Sequence, residues 1–105
     1  MEIPKATIRA YQTMMKALSN ENRLEIMHSL HDKPKTWTEL LFELQINPKS
    51  LRDHLSFLKK SGLIKKKEPI GFELTGAGRA FIELSLERII ETAKQAAEIA
   101  QNEFV

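Results

Sequence analysis

Apolar residues recur along this chain at helical spacing in several blocks, and between two of them the pattern shortens to that of strands. Ile8, Tyr11, Met15 and Leu18 lie three or four apart, which predicts a first amphipathic helix over 5–18 with Pro4 near its start. Ser19 and Asn20 offer caps for a second helix, from Asn20 to about His31. Its inner face is Leu24, Met27 and Leu30, with Arg23 and Ile26 flanking. Asp32-Lys33-Pro34-Lys35 reads as a loop and Thr36-Trp37 as a very short strand, with Trp37 a core anchor. Thr38 then caps a third helix, which has Glu39 in its first turn and is buried through Leu40, Leu41, Leu44 and Ile46.

The next block has the clearest ends. Leu51, Leu55 and Leu58 share one side of a helix over 48–60, and Lys49, Arg52, Asp53, Ser56 and Lys60 occupy the other. Asn47 suits the N-cap, Pro48 the first turn and Gly62 the stop. A short helix, a tight turn and a second, capped helix with a basic outer face is the helix-turn-helix arrangement. Leu63–Glu68 and Phe72–Leu74 then read as two strands turned at Pro69-Ile70-Gly71. This hairpin wing is too small to stand alone and must pack on the helices.

Thr75 caps a last helix in which Phe81, Ile82, Leu86, Ile89, Ile90, Ala93, Ala96, Ala97, Ala100 and Phe104 keep helical spacing. Thr75 to Phe104 would span ~43 Å at ~1.5 Å per residue, against a radius of gyration of ~13 Å for a compact domain of this size. The distal half must overhang its own globule and expose an apolar stripe. Burial against a second copy is the simplest remedy; the alternative is a frayed tail that folds on a different partner. The expected fold is therefore mainly α with a small β-hairpin, a winged helix-turn-helix with long N- and C-terminal helices. It forms one domain over 1–105: first helix 5–18, helix-turn-helix and wing 20–74, long last helix 75–105.

Charge changes the picture because it is local. Residues 1–48 balance, residues 68–105 sum to −4, and residues 49–67 hold seven basic side chains against one acidic. A basic patch confined to one helix and its hairpin points to a polyanionic partner. The chain has no cysteine, which excludes a disulfide scaffold or a thiolate metal site and fits a reducing cytoplasm. No apolar run suits a signal peptide or a membrane span. His28 and His31 lie three apart without an acidic or thiol companion on that face, so no metal site is expected. No nucleophile–base set and no phosphate-binding glycine loop argues for an enzyme, and no cofactor is expected.

Three segments together resemble the ArsR-like winged helix-turn-helix transcription regulators of bacteria and archaea, over roughly residues 10–90. They are Lys16-Ala17-Leu18-Ser19-Asn20-Glu21-Asn22-Arg23-Leu24-Glu25-Ile26, then Ser50–Ile64 with its His54-Leu55 and Gly62-Leu63-Ile64, then Phe72-Glu73-Leu74-Thr75-Gly76-Ala77-Gly78-Arg79. The resemblance implies a homodimer joined through the first and last helices. It also implies operator binding by the helix at 48–60, with the wing at 65–71 beside it. Metal sensing does not carry over, because the cysteines are absent and the last helix has no histidine. Asp53 departs from the basic or neutral residue often found in that position.

The expected function is sequence-specific binding of double-stranded DNA as a transcription regulator. Lys49, Ser50, Arg52, Asp53 and Ser56 would face bases, and Lys59, Lys60, Lys65, Lys66 and Lys67 would mainly meet phosphates. Two other readings stay open at this point: a winged-helix protein-interaction module, and an architectural DNA binder without sequence preference. A small apolar effector between the first and last helices, against Tyr11, Met14 and Met15, is conceivable, with plain dimer packing the stronger reading.

Overall fold

A computed structural model describes residues 2–103, the side chains at 85–87 and 89 excepted. In chain order it contains α1 (Lys5–Leu18), α2 (Glu21–Asp32), α3 (Trp37–Leu44), α4 (Pro48–Lys60), β1 (Ile64–Lys66), β2 (Phe72–Leu74), α5 (Gly76–Phe81), a π-helical turn (Ile82–Leu86) and α6 (Glu87–Glu103). This is the mainly helical winged helix-turn-helix that the pattern predicts.

The core gathers around α2. Ile26, Met27 and Leu30 meet Leu40 of α3, Leu51, Leu55 and Leu58 of α4, Leu63 and Ile64 at the wing, Leu74 of β2, and Ile82. Ile26 is fully buried and belongs to the core, not to its flank, while Leu24 is only half-buried. The reason is position: α2 packs against α1, α3, α4 and β2, so its buried arc is wider than the single stripe that spacing suggests. Asn20 caps α2 by accepting from the Arg23 amide.

The third helix begins two residues earlier than Thr38 predicts. Thr36 Oγ1 accepts from the Glu39 amide at 3.1 Å, and Glu39 Oε1 accepts from the Thr36 amide at 3.1 Å. This reciprocal capping box needs a carboxylate three residues after the cap, which Thr36 has and Thr38 lacks. Trp37 is therefore helical, and the strand-like residue is Lys35, which exchanges backbone hydrogen bonds with Phe72 at 3.0 and 2.8 Å.

Asn47 Oδ1 accepts from the Lys49 and Ser50 amides at the start of α4. At its end the Gly62 amide donates to Lys59 O and the Leu63 amide to Leu58 O, at 3.0 and 3.1 Å. That Schellman pattern requires the left-handed φ of 77° that Gly62 supplies. The chain then runs directly into β1, which pairs antiparallel with β2 in the register Ile64↔Leu74, Lys65↔Glu73, Lys66↔Phe72. The first strand is shorter than Leu63–Glu68 because Leu63 completes the helix end, and past Lys66 only the Lys67 amide reaches across, to Gly71 O.

Thr75 ties this end of the wing to α5. Its hydroxyl donates to Gly62 O, accepts from the Gly78 amide at 3.0 Å, and its own amide donates to Leu63 O at 3.0 Å. Gly78 is buried against the Leu63 backbone, where a β-carbon would overlap the carbonyl oxygen. The glycine is thus a close-approach device as well as part of the cap.

The predicted single helix from Thr75 onward is interrupted by the π turn. Apolar–polar alternation over Ile82–Leu86 looks the same whether a turn closes after four residues or five, so spacing does not register the insertion. Beyond it every side chain from Ile90 to Glu103 is exposed. The radius of gyration is 16.1 Å and the long axis 54 Å, well above a compact domain of this length. Of the predicted stripe, Phe104 lies outside the described residues, as do the side chains of Leu86 and Ile89. On α1 only Ala17 is buried, and Ile8, Tyr11 and Met15 are exposed.

Candidate nucleic-acid interface

Three fully or nearly fully buried leucines, Leu51, Leu55 and Leu58, fix the rotation of α4. That rotation leaves Lys49, Arg52, Asp53, Ser56, Lys59 and Lys60 exposed, with Ser50 half-buried at the edge. Two stripes result. Lys49, Asp53, Ser56 and Lys60 follow the outermost line of the helix. Arg52 and Lys59, one seven-residue step apart, turn toward the wing.

On the opposite flank Phe57 carries the guanidinium of Arg23, 4.4 Å from its ring centroid. Arg23 also donates from Nε to Ala17 O at 2.7 Å and from Nη2 to Lys16 O at 3.0 Å. One side chain thus closes the C-terminus of α1 and braces α4. His54 lies beside it, and its ring is held below the ordinary imidazole pKa by burial, then by the Arg23 charge, with Asp53 acting in the opposite sense.

The wing does not present its lysines as one cluster. Lys65 of β1 and Lys67 just past its end both reach Glu73, at 3.6 and 3.9 Å. Lys66 points to the other face, since side chains alternate along a strand. There it lines an open cleft of about 360 Å³ with Phe72, its cross-strand partner, and with Trp37, Arg52, Ser56 and Lys59. The structure therefore brings Arg52, Ser56, Lys59 and Lys66 together, keeps Lys49, Asp53 and Lys60 on the outer stripe, and sets Lys65 and Lys67 apart with their carboxylate.

Two residues of this surface escape sequence reasoning. Trp37 reads as a core anchor; it packs on the core and lines the cleft at once. Lys35 reads as a loop residue; it is 8% exposed, donating from Nζ to Glu43 and to Ser29 Oγ while its backbone holds Phe72. The Thr36/Glu39 capping box was the available signal for Trp37. Nothing local signals Lys35.

Comparison with known proteins agrees with this architecture. Residues 20–66 match the model of a family described as bacterial regulatory protein, arsR family. The chain is similar to the transcriptional activator HlyU of Vibrio cholerae, 32% identical over 98 residues that cover 90% of this chain and 89% of that protein. The solved structure of HlyU from V. cholerae N16961 superposes with a TM-score of 0.69 at 32% identity, covering 85% of this chain and 97% of that one. The same fold occurs in the homodimeric winged helix-turn-helix DNA-binding domain of Mb0332 from Mycobacterium bovis, with a TM-score of 0.74 at 19% identity, covering 88% of each chain. Because residues 20–66 match the family model and the likeness to HlyU extends at 32% identity over 90% of the chain, the chain belongs to the ArsR family of bacterial regulatory proteins.

Proposed function

We propose that this chain is a sequence-specific, homodimeric DNA-binding transcription regulator, with α4 in the major groove and the wing over residues 65–71 on the adjacent backbone or minor groove. The carrying observation is the rotation of α4: three leucines hold it to the core while its basic and polar face stands free. A capped, rigid helix of 13 residues is the size of element the major groove admits. Arg52 reads guanine through its planar fork, and Lys49, Ser50, Asp53 and Ser56 reach neighbouring base edges. Lys59, Lys60 and Lys66 meet phosphates; Lys65 and Lys67 do so only by giving up their long pairs with Glu73.

The dimer is supported by what one copy leaves uncovered. Ile3, Ile8, Tyr11 and Met15 at the start of the chain and Ile90 and Ile99 on α6 are all exposed. Apolar side chains repeated along the exposed faces of two helices are a surface for association. Ala93 and Ala96 line a shallow, open concavity on α6, and such small side chains let a second helix approach closely. Two copies joined there would present two recognition helices to half-sites about 10 base pairs apart.

Selection of bound sequences from a random duplex pool, with sedimentation of the free protein, tests this reading. The expected result is an enriched, two-fold related motif bound by a species of twice the chain mass. A dimer that retains no sequence from the pool at low salt would overturn the regulator reading.

A further inference from the structure

We propose that the cleft between α4, the start of α3 and the wing binds a small aromatic anion, and that its occupant and DNA exclude one another. The first half stands on the cleft alone; the exclusion of DNA rests on the function proposed above.

The lining carries two kinds of chemistry. Trp37 and Phe72 are half-buried and packed on the core, so their remaining surface forms a fixed apolar floor. Arg52, Lys59 and Lys66 stand around it. Among the described residues none of these three makes an ion pair, whereas the lysines on either side of Lys66 share Glu73. The cleft thus concentrates three uncompensated positive charges over two aromatic side chains. A flat ring on the indole and phenyl surfaces, with a carboxylate toward the cations, satisfies both. A phosphodiester satisfies only the cations.

Size and rigidity agree. About 360 Å³ lies at the small end of ligand sites and suits one or two fused rings. The floor is held in place before any ligand arrives. Phe72 is fixed through its backbone to Lys35, and Lys35 in turn to Glu43 and Ser29. An occupant would cover Arg52 and Ser56, which the proposed base readout requires, and would neutralise Lys59 and Lys66, which it needs for phosphate. Ligand and operator would therefore compete for the same side chains, with the reciprocal effect on affinity that linkage demands.

Trp37 is the one tryptophan of the chain, so its indole N–H gives a single resonance that reports from inside the cleft. The intact protein, labelled with ¹⁵N, is titrated with 2-naphthoate, with neutral 2-naphthamide and with inorganic phosphate. Saturable movement of the Trp37 resonance by naphthoate is expected, with naphthamide and phosphate binding at least tenfold more weakly. The double substitution Lys59→Gln, Lys66→Gln should weaken naphthoate at least tenfold while the unliganded protein keeps a single, sharp Trp37 resonance and its thermal unfolding midpoint. Equal affinity for phosphate would reduce the cleft to a phosphate cradle and overturn the proposal; equal affinity for naphthamide, or no saturation, would overturn it too. Naphthoate should also raise the concentration of protein needed to half-saturate a selected duplex in step with cleft occupancy. If duplex binding is normal but indifferent to saturating naphthoate, the exclusion is wrong. If naphthoate binds as expected and no duplex does, the site stands and the regulator reading falls.

Discussion

Lys35 Nζ lies 2.8 Å from one carboxylate oxygen of Glu43 and 3.0 Å from the other, and the ammonium is buried while the carboxylate is not. The pair joins α3 to the residue whose backbone carries the wing. Its asymmetry predicts unequal losses. Lys35→Met fills the same space without a charge, leaves Glu43 able to reach water, and should cost about 1 kcal/mol or less. Glu43→Ala strands a buried ammonium with only Ser29 Oγ as partner. Glu43 is 43% exposed, so water relieves part of that penalty, and about 1–3 kcal/mol is expected. Urea unfolding of both variants checks the order; equal costs would mean that the ammonium is solvated.

The same pair gives a pH dependence. The hydrogen bond from Lys35, aided by Ser29, holds the Glu43 carboxyl below its ordinary value of 4.5 despite some desolvation. The unfolded chain therefore takes up this proton first as pH falls. Stability from Glu43 is complete above about 4.5 and drains away as pH drops through the lowered folded value. His54 acts at higher pH in the same direction. Its folded pKa is also lowered, so stability is full above 6.5 and declines as the unfolded chain protonates below that. His54→Gln should flatten the stability profile between pH 7 and the folded value, and Glu43→Gln should flatten it only in the acid range.

Gly76 and Gly78 are two residues apart and have opposite expectations. Nothing lies within 4 Å of where a Gly76 side chain would stand, so Gly76→Ala should be neutral or slightly stabilising. A methyl at Gly78 overlaps the Leu63 carbonyl, which also receives the Thr75 amide. Both partners are backbone, so neither can move without shifting α5 from the wing, and Gly78→Ala should cost about 1–3 kcal/mol. Thermal unfolding of the two alanine variants separates them.

Arg23 shows why an arginine follows the second helix cap. It makes two hydrogen bonds to the last carbonyls of α1 and stacks on Phe57 of α4. Lysine offers one compact charge in place of the planar fork. Arg23→Lys should therefore recover only part of the stability lost in Arg23→Ala, which is about 1–3 kcal/mol from charge-assisted hydrogen bonds and stacking. Hydrogen exchange should localise the loss to the C-terminal turn of α1; a loss spread evenly over the chain would mean that Arg23 contributes only general packing.

These residues also mark what could be read in advance. The ends and rotation of α4 were legible because Asn47-Pro48, the leucine spacing and Gly62 all act within a few residues. The overhang of α6 was legible because length alone sets it. The capping box at Thr36 was present in the sequence, but Thr38 competes for the same role until Glu39 is assigned. Lys35 was not legible at all. Its burial depends on Ser29 and Glu43, from two other helices, and on Phe72, from a strand 37 positions away. The division of the wing lysines follows from strand alternation, yet the face taken by Lys66 depends on how the hairpin docks against α4. The cleft exists only after both of these long-range placements are made.

Asp53 poses the sharpest test of base readout. It lies on the outer stripe of α4 between Lys49 and Lys60 and makes no ion pair among the described residues. A carboxylate there repels every phosphate it passes, so it weakens binding to all duplexes unless a base offers it a donor. The amino group of cytosine does. Asp53→Ala should therefore tighten binding to random duplex and lose preference at one position of the selected motif, a discrimination of about 1–3 kcal/mol. Lys66→Ala should instead weaken all sequences together and lower the salt slope by about one. Fluorescence anisotropy against the selected duplex and single-base variants of it measures both. Uniform tightening by Asp53→Ala, with the preference intact, would show that the carboxylate only sets the overall strength of binding and reads no base.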